Sequence, residues 1–187
     1  MFSEVLTAAQ AGGQWANRII WTEYSPKVAA YLRARGSLEP DDLTSEVFLT
    51  VFAQLADFEG DEEQFRAFVF TIAHRRLVDE LRKRSSRGLH VEWSEESDAR
   101  ATSSAESQAM ERIGNDDARA LLDGLPPDQR DVLVLRIIAD LTVEQIAELL
   151  GKRPGAVKAL QRRGLERLRK KVGATRTLFA DSNDSKV

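Results

Sequence analysis

A stretch of 32 residues decides how the second half of the chain folds: Asp140–Lys171, with the sequence DLTVEQIAELLGKRPGAVKALQRRGLERLRKK. Thr142 and Gln145 fit a capping box, in which an N-cap hydroxyl and the third helical side chain bond each other's backbone N–H groups. Apolar residues then recur at one-turn spacing up to Gly151, a residue typical of helix ends. Pro154 is suited to begin a second helix. The pattern predicts two helices joined by a three-residue break, a helix-turn-helix.

The second helix of this pair has two unlike faces. Val157, Leu160, Gly164 and Leu168 fall within about 80° of arc and are predicted to pack on the scaffold. The segment from Lys152 to Lys171 carries a net charge of +8. Arginine can bind a guanine edge bidentately, and both basic side chains neutralise phosphates. We therefore predict that this helix lies in the DNA major groove, with contacts from Lys152, Arg153, Ala156, Lys158, Ala159, Arg162 and Arg163.

Helices are also predicted for most of the chain up to Arg84. Pro40, followed by two acidic residues, is typical of a helix N-terminus. The helix that follows carries a core stripe of five apolar residues, namely Val47, Phe48, Val51, Phe52 and Leu55. Leu43, Glu46 and Leu49 are predicted to fall off that stripe. For Leu49 two interpretations stay open, since exposed leucines are common and an exposed leucine can also anchor a partner.

Charge is strongly segregated in this first half. Residues from Glu39 to Glu63 include nine acids and no base, whereas Arg66 to Arg87 carries a net charge of +5. Residues 57–63 are predicted to be a loop, followed by a long helix from Gln64 to about Arg84. Its second half is amphipathic, because Arg75 and Arg76 lie one heptad before Arg82 and Lys83 on the side opposite Leu77. Two basic segments on separate helical units indicate two contacts with polyanions.

The predicted fold class is all-α, with two small helical domains. Between them, Ser85 to Ile113 is rich in Ser, Glu and Ala without a sustained apolar period, which predicts a flexible acidic linker. Fully extended, its 28 residues from Ser86 would reach about 95 Å. Trp93 is the exception within it and could dock on a domain. We assign residues 1–86 to the first domain, 87–114 to the linker, 115–173 to the second domain and 174–187 to a polar tail.

Composition excludes several function classes. The chain of 187 residues has no Cys and two His, which argues against disulfides, thiolate nucleophiles and a His- or Cys-ligated metal site. No apolar run approaches the ~18 residues that span a bilayer, and the N-terminus lacks the pattern of a signal peptide. We expect a cytoplasmic protein with no cofactor, no metal, no catalytic residues and no membrane insertion.

Two sets of motifs resemble a known family. Their order, spacing and small size are similar to those of extracytoplasmic-function (ECF) members of the sigma-70 family of bacterial sigma factors. The first set resembles conserved region 2 and consists of Asp42–Phe48 (DLTSEVF), Phe65–Ala73 (FRAFVFTIA) and Asp79–Arg82 (DELR). The second resembles region 4 and consists of Leu125–Leu133 (LPPDQRDVL), Ile146–Gly151 (IAELLG) and Gly155–Lys158 (GAVK).

The resemblance implies partners and site residues. The chain would bind core RNA polymerase and direct it to promoters, with its second domain on the β flap reading the −35 element. The β′ clamp helices would contact Asp42, Leu43, Ser45, Glu46 and Leu49. The −10 element would be opened and contacted by Phe58, His74, Arg75, Arg76 and Arg82. ECF factors are often held by an anti-sigma factor, which the resemblance adds as a candidate partner.

Some positions depart from the family pattern. Ser45 stands where Gln is usual, Phe52 and Phe68 stand where Trp is frequent, and His74-Arg75 replaces a common Arg-Asn pair. Arg153 precedes the recognition helix but cannot cap it as Ser does.

Other function classes explain less of the sequence. A stand-alone helix-turn-helix regulator accounts for the second half and leaves the acidic and basic helices of the first without a role. A helical nuclease would need Glu62, Glu63 and Asp79 around a metal ion, although Asp79 is predicted to pair with Arg75 or Arg82. A pure protein-interaction module does not account for the +8 segment.

Overall fold

The computed structural model describes residues 1–86, 121–122 and 124–181, with the backbone alone for 173–181. Its regular elements are helical, which confirms the predicted fold class. The α-helices are α1 Phe2–Gln10, α2 Gln14–Ala34, α3 Pro40–Gln54, α4 Glu62–Ser86, α5 Pro127–Ile137, α6 Val143–Leu150 and α7 Pro154–Asp181, with a 3₁₀ turn at Leu55–Asp57. The predicted linker at 87–114, Trp93 and the last six residues lie outside the described residues. Helix α7 continues ten residues beyond its predicted end.

Helices α1 to α4 pack around aromatic side chains. The largest fully buried side chains of this half are Tyr24 and Tyr31 on α2, Phe48 on α3, and Phe65 and Phe70 on α4. Helix α4 begins with a capping box that the sequence analysis missed. The Asp61 carboxylate accepts from the Gln64 N–H at 2.9 Å, and the Gln64 side chain accepts from the Asp61 N–H at 2.9 Å. The signal was present as Asp-x-x-Gln directly before an apolar run.

The core stripe of α3 is confirmed, with one correction. Val47, Val51 and Leu55 are buried, and Leu49 on the other side is 72 % exposed. The prediction that Leu43 falls off the stripe is wrong, because its side chain is 9 % exposed and belongs to the core. The reason is that Leu43 lies four residues before Val47, and residues at this spacing share a helix face.

Helices α5 to α7 form the predicted helix-turn-helix unit. The Thr142 and Gln145 capping box is present, and Gly151 ends α6 in the left-handed conformation at φ 62°. Gly164 permits the close packing of α7 on α5, because a Cβ atom at this position would lie 2.8 Å from Cδ1 of Leu133. Val157 of α7 is fully buried on the same side. Local signals therefore specify this half in detail.

The two halves are in contact. Buried apolar residues of α5 to α7 belong to the same continuous core as those of α1 to α4. An ion pair joins Arg35, after the end of α2, to Asp131 of α5 at 2.5 Å, and another joins Arg66 of α4 to Asp140 at 2.8 Å. Across the described part of the chain, no helix is both long and apolar enough to cross a membrane.

Candidate nucleic-acid and partner interfaces

The exposed face of α3 combines acids with one apolar side chain. Asp42, Ser45, Glu46 and Leu49 are all exposed on this helix. The Ser45 hydroxyl donates to the Asp41 carbonyl at 3.1 Å, so it is already bonded within its own helix. The buried Leu43 supports this face from behind. The face therefore offers an apolar anchor with an acidic rim, which fits a partner surface that is apolar with basic residues around it.

Trp21 of α2 extends the apolar part of this region. Its ring packs edge-on against Phe48 of α3, with 4.9 Å between ring centroids, and 40 % of the residue remains exposed. Partly exposed aromatic residues are enriched where proteins bind partners. Sequence reasoning did not single out Trp21, since nothing in the linear pattern places α2 beside this part of α3.

Phe58 holds the loop before α4 onto the core. Its ring lies 5.3 Å from the Phe65 ring and 5.1 Å from the Phe68 ring, measured between centroids. Its carbonyl accepts a hydrogen bond from Gln10 at 2.8 Å. Phe58 is therefore half-buried and forms a wall rather than a protruding side chain. It lines an open cavity of about 620 Å³ together with Gln54, Asp57, Glu59 and Phe68.

The basic residues predicted along α4 are presented to solvent. Arg75, Arg76 and Arg82 are all exposed. The Arg76 guanidinium donates to the Thr50 hydroxyl at 2.9 Å, which directs its side chain toward α3. Arginines exposed on one helix give a positive surface suited to a nucleic-acid backbone.

His74 differs from its basic neighbours. Its ring is half-buried, and Nδ1 lies 2.9 Å from the Tyr31 hydroxyl in a hydrogen bond between α4 and α2. Burial, assisted by the positive charge of Arg35, lowers the pKa of His74 to about 4. Burial also raises the pKa of Tyr31, so both groups are neutral at pH 7. His74 therefore adds no positive charge to the basic face of α4.

The amino-terminal half of α7 carries the second basic surface. Arg153, Ala156, Lys158, Arg162 and Arg163 are exposed, and Ala159 and Lys152 are half-buried. The Lys152 ammonium lies 3.1 Å from the Asp128 carboxylate of α5, so this lysine is tied to the scaffold. Val157 and Gly164 face the scaffold on the opposite side. The structure thus brings five of the seven predicted contact residues to the surface.

Family models match both halves of the chain. The model described as "Sigma-70 region 2" matches residues 20–87, which include α3 and α4. The model described as "Sigma-70, region 4" matches residues 116–168, which include α5, α6 and the first half of α7. The first match covers the acidic face of α3 and the basic surface of α4, and the second covers the basic surface of α7. They occur in the order predicted from the motifs.

Relatives match over most of the chain. BldN, an ECF RNA polymerase sigma factor of Streptomyces coelicolor, is 35 % identical over 88 % of this chain, and the match spans 63 % of the length of BldN. ShbA of Streptomyces griseus is 33 % identical over 86 % of this chain and 90 % of its own length. SigD of Mycobacterium tuberculosis is 30 % identical over 91 % of this chain and 83 % of its own length.

Solved structures share the fold. CnrH in complex with the cytosolic domain of CnrY matches with a TM-score of 0.65 and 21 % identity, over 92 % of this chain and 97 % of CnrH. RpoE of Bartonella quintana in complex with the anti-sigma factor NepR matches with a TM-score of 0.62 and 21 % identity, over 83 % of this chain and 96 % of RpoE. With both sigma regions present in order, this chain belongs to the sigma-70 family as one of its ECF sigma factors.

Proposed function

We propose that this chain binds core RNA polymerase and directs it to promoters by reading their −10 and −35 elements, with no catalytic role of its own. One observation carries the proposal: an acidic face with an apolar anchor and two basic surfaces lie on separate helices of one chain, within the two matched sigma regions. We propose residues 1–86 and 115–173 as the two functional domains, with 87–114 as the linker and 174–187 as the tail.

Helix α3 supplies the proposed polymerase contact. The exposed side chains of Asp42, Glu46 and Leu49 would meet the clamp helices of the β′ subunit, with Ser45 between them. Leu49 is the expected anchor, because burying one leucine contributes about 1.5–3 kcal/mol. Leu43 would act indirectly by holding the helix on the core.

Helix α4 and the loop before it supply the proposed −10 contact. Arg75, Arg76 and Arg82 would neutralise phosphates near the opened strand. The open cavity beside Phe58 has an aromatic wall, and aromatic surfaces stack with unpaired bases. His74 would position α4 against α2 through its bond to Tyr31 rather than contact DNA.

Helix α7 supplies the proposed −35 contact. The residues proposed to contact the −35 element, up to Arg163, lie in or just before the first half of the helix, which is the part of a recognition helix that reaches base edges. Arg162 and Arg163 are the best candidates for guanine contacts. Ala156 and Ala159 are short enough to let the helix approach the groove closely. Lys152 and Arg153 would contact phosphates at its start, while the β flap holds this domain.

An anti-sigma factor is a further proposed partner. The Bartonella RpoE, which shares this fold, was solved in complex with the anti-sigma factor NepR. CnrH, which also shares it, was solved in complex with the cytosolic domain of CnrY. A nuclease role receives no support from the acids considered for it. The Glu62 carboxylate lies 3.8 Å from the Arg66 guanidinium, and the Glu63 carboxylate accepts a hydrogen bond from the Gln145 side chain at 3.4 Å. Both carboxylates therefore already have partners within the protein.

The test is co-elution of the full-length protein with bacterial core RNA polymerase. Wild type should co-elute stoichiometrically, and Leu49→Asp should abolish this while leaving the helical circular dichroism unchanged. Leu38→Asp is a matched control, because Leu38 is also an exposed leucine (65 %) but lies before α3. DNA binding without polymerase binding by the wild type would contradict the proposal and favour a stand-alone regulator.

A further inference from the structure

Helix α1 reaches the loop before α4 through one side chain. The Gln10 amide, at the end of α1, donates to the Leu55 carbonyl at 3.1 Å and to the Phe58 carbonyl at 2.8 Å. These two carbonyls belong to the first residue of the 3₁₀ turn and to the residue directly after it. A primary amide has two N–H donors. Gln10 therefore uses both of its donors to fix the two ends of one turn.

This turn forms part of the cavity beside Phe58. The Phe58 N–H bonds to the Leu55 carbonyl at 3.2 Å, so the turn and Gln10 share that acceptor. A movement of the turn therefore displaces the cavity wall. The residues that line the cavity are Gln54, Asp57, Phe58, Glu59 and Phe68.

Helix α1 is itself fixed on the aromatic core. Leu6 and Ala9 are buried, and the Phe2 ring lies 5.5 Å from the Phe65 ring between centroids. Gly12, in the turn into α2, has a φ of 82°, a conformation that favours glycine. The Gln10 amide is thus presented by a packed helix whose end has a defined backbone geometry.

The other end of the loop is fixed by α4. Asp61 and Gln64 form the reciprocal capping bonds described above. Gly60 has a φ of 155°, and a Cβ atom there would lie 2.7 Å from the Gln64 side-chain oxygen. The region 2 family model begins its match at residue 20, so α1 lies before the matched region. The loop is therefore anchored by α4 at one end and by α1 at the other.

We propose that Gln10 is a positioning residue for the −10 contact, because its amide holds the cavity beside Phe58 in a shape ready for one unpaired base. The identity of the ligand rests on the proposed function, whereas the restraint on the turn does not. A preformed site avoids the cost of ordering its loop when the ligand binds. Apparent affinity also falls in proportion to the fraction of molecules that have the competent shape. Helix α1 would thus raise affinity for the opened strand without touching it.

The first test measures the turn in the full-length protein without polymerase or DNA. Gln10→Leu removes both donors at similar size, and Gln10→Glu replaces them with acceptors. In both variants, amide hydrogen exchange over residues 54–61 should accelerate at least about fivefold, because two hydrogen bonds are lost. Gln14→Leu is the matched control, because it makes the same change at an exposed glutamine at the start of α2. Unchanged exchange in both Gln10 variants would overturn the restraint.

The second test measures how much one base contributes to DNA binding. The probe is a fork from a promoter that wild-type holoenzyme selects from random-sequence DNA, with the −10 non-template strand unpaired. Each −10 base is replaced in turn by an abasic site. With wild-type holoenzyme, one such site should weaken binding about 5- to 150-fold, which corresponds to one stacked base.

Gln10→Leu should reduce that dependence on the base. If its cavity is formed about one-tenth of the time, the intact fork should bind about tenfold more weakly. The abasic fork should bind as it does to wild type, since it does not use the cavity. An equal loss for both forks would indicate a general structural defect and would overturn the positioning role. Full retention of the base dependence would overturn it as well.

Gly60→Ala gives a second way to displace the loop while leaving α1 intact. It should reproduce the loss of base dependence, because the added Cβ would meet Gln64. Loss in Gly60→Ala but not in Gln10→Leu would overturn the role of Gln10 and retain that of the cavity. A wild-type holoenzyme that depends on no −10 base would overturn the inference together with the cavity. A wild type that forms no holoenzyme would instead contradict the proposed function, and the exchange measurement would still decide whether Gln10 restrains the turn.

Discussion

The two halves of the chain are stabilised by different kinds of core. Helices α1 to α4 surround buried aromatic rings, among them Tyr24, Phe48 and Phe65. Positions 121–172 contain no aromatic residue, and the buried side chains there are aliphatic, such as Leu133 and Ile146. Small units bury a smaller fraction of their surface on folding. The second half therefore depends on close helix contacts and on its neighbour, whereas the first also gains from its large buried aromatic rings.

Phe65→Ala should have the largest effect, because it removes the centre of the aromatic core. Phe65 is fully buried, and its ring lies 5.4 Å from Tyr24 and 5.5 Å from Phe2 between centroids. We expect a loss of about 3–5 kcal/mol in the free energy of unfolding in urea. Phe58 is only half-buried, so Phe58→Ala should reduce the free energy of unfolding by less. Equal losses would mean that the aromatic rings contribute without regard to burial.

Gly164→Val tests the close contact on which the second half depends. The added atoms would overlap Leu133, since even a Cβ would lie 2.8 Å from its Cδ1 atom. Overpacking of this kind costs about 1–3 kcal/mol. Amide hydrogen exchange should accelerate in α5 and α7 while α1 to α4 stay protected. The control is Gly155→Ala, because no atom lies within 4 Å of the Cβ that this substitution adds. It should leave the rates of amide hydrogen exchange unchanged.

The double substitution Arg162→Ala/Arg163→Ala tests whether the DNA contact lies on the second half of the chain rather than on the first. Both arginines are exposed on α7. If each neutralises one phosphate, the slope of log affinity against log salt should become shallower by about 1.8 on promoter DNA. The charge-matched change Arg18→Ala/Lys27→Ala on α2 should leave the slope as it is. A reduced slope in the control alone would place the DNA contact on the first half.

His74→Gln should have the smallest effect at neutral pH, because its effect on stability should appear only in acid. The folded-state pKa of about 4 lies below the usual 6.5, so the unfolded chain binds the proton more readily. The contribution of His74 to stability is complete above pH 6.5 and is lost as the pH falls toward 4. The variant should lose less stability than wild type across that interval. Parallel stability–pH curves for the two proteins would contradict the buried, neutral histidine.

Local signals predicted the second half better than the first. The Thr142 and Gln145 capping box and the αL glycine at 151 are short-range patterns, since each depends on residues within four positions. Phe58 and His74 were both predicted as DNA contacts, and both are half-buried. What buries them is a neighbouring helix, and the linear pattern does not say which helices are neighbours.

The sequence by itself determined the helical class, the two-part organisation, the basic recognition helix and the family. These follow from periodicity, caps and charge, which are properties of short stretches. Tertiary structure alone decided that Leu43 is core, that His74 is neutral, and that Arg35 meets Asp131 across the two halves. Residues 96 positions apart share no local pattern, and only packing of the helices brings their charges together away from water.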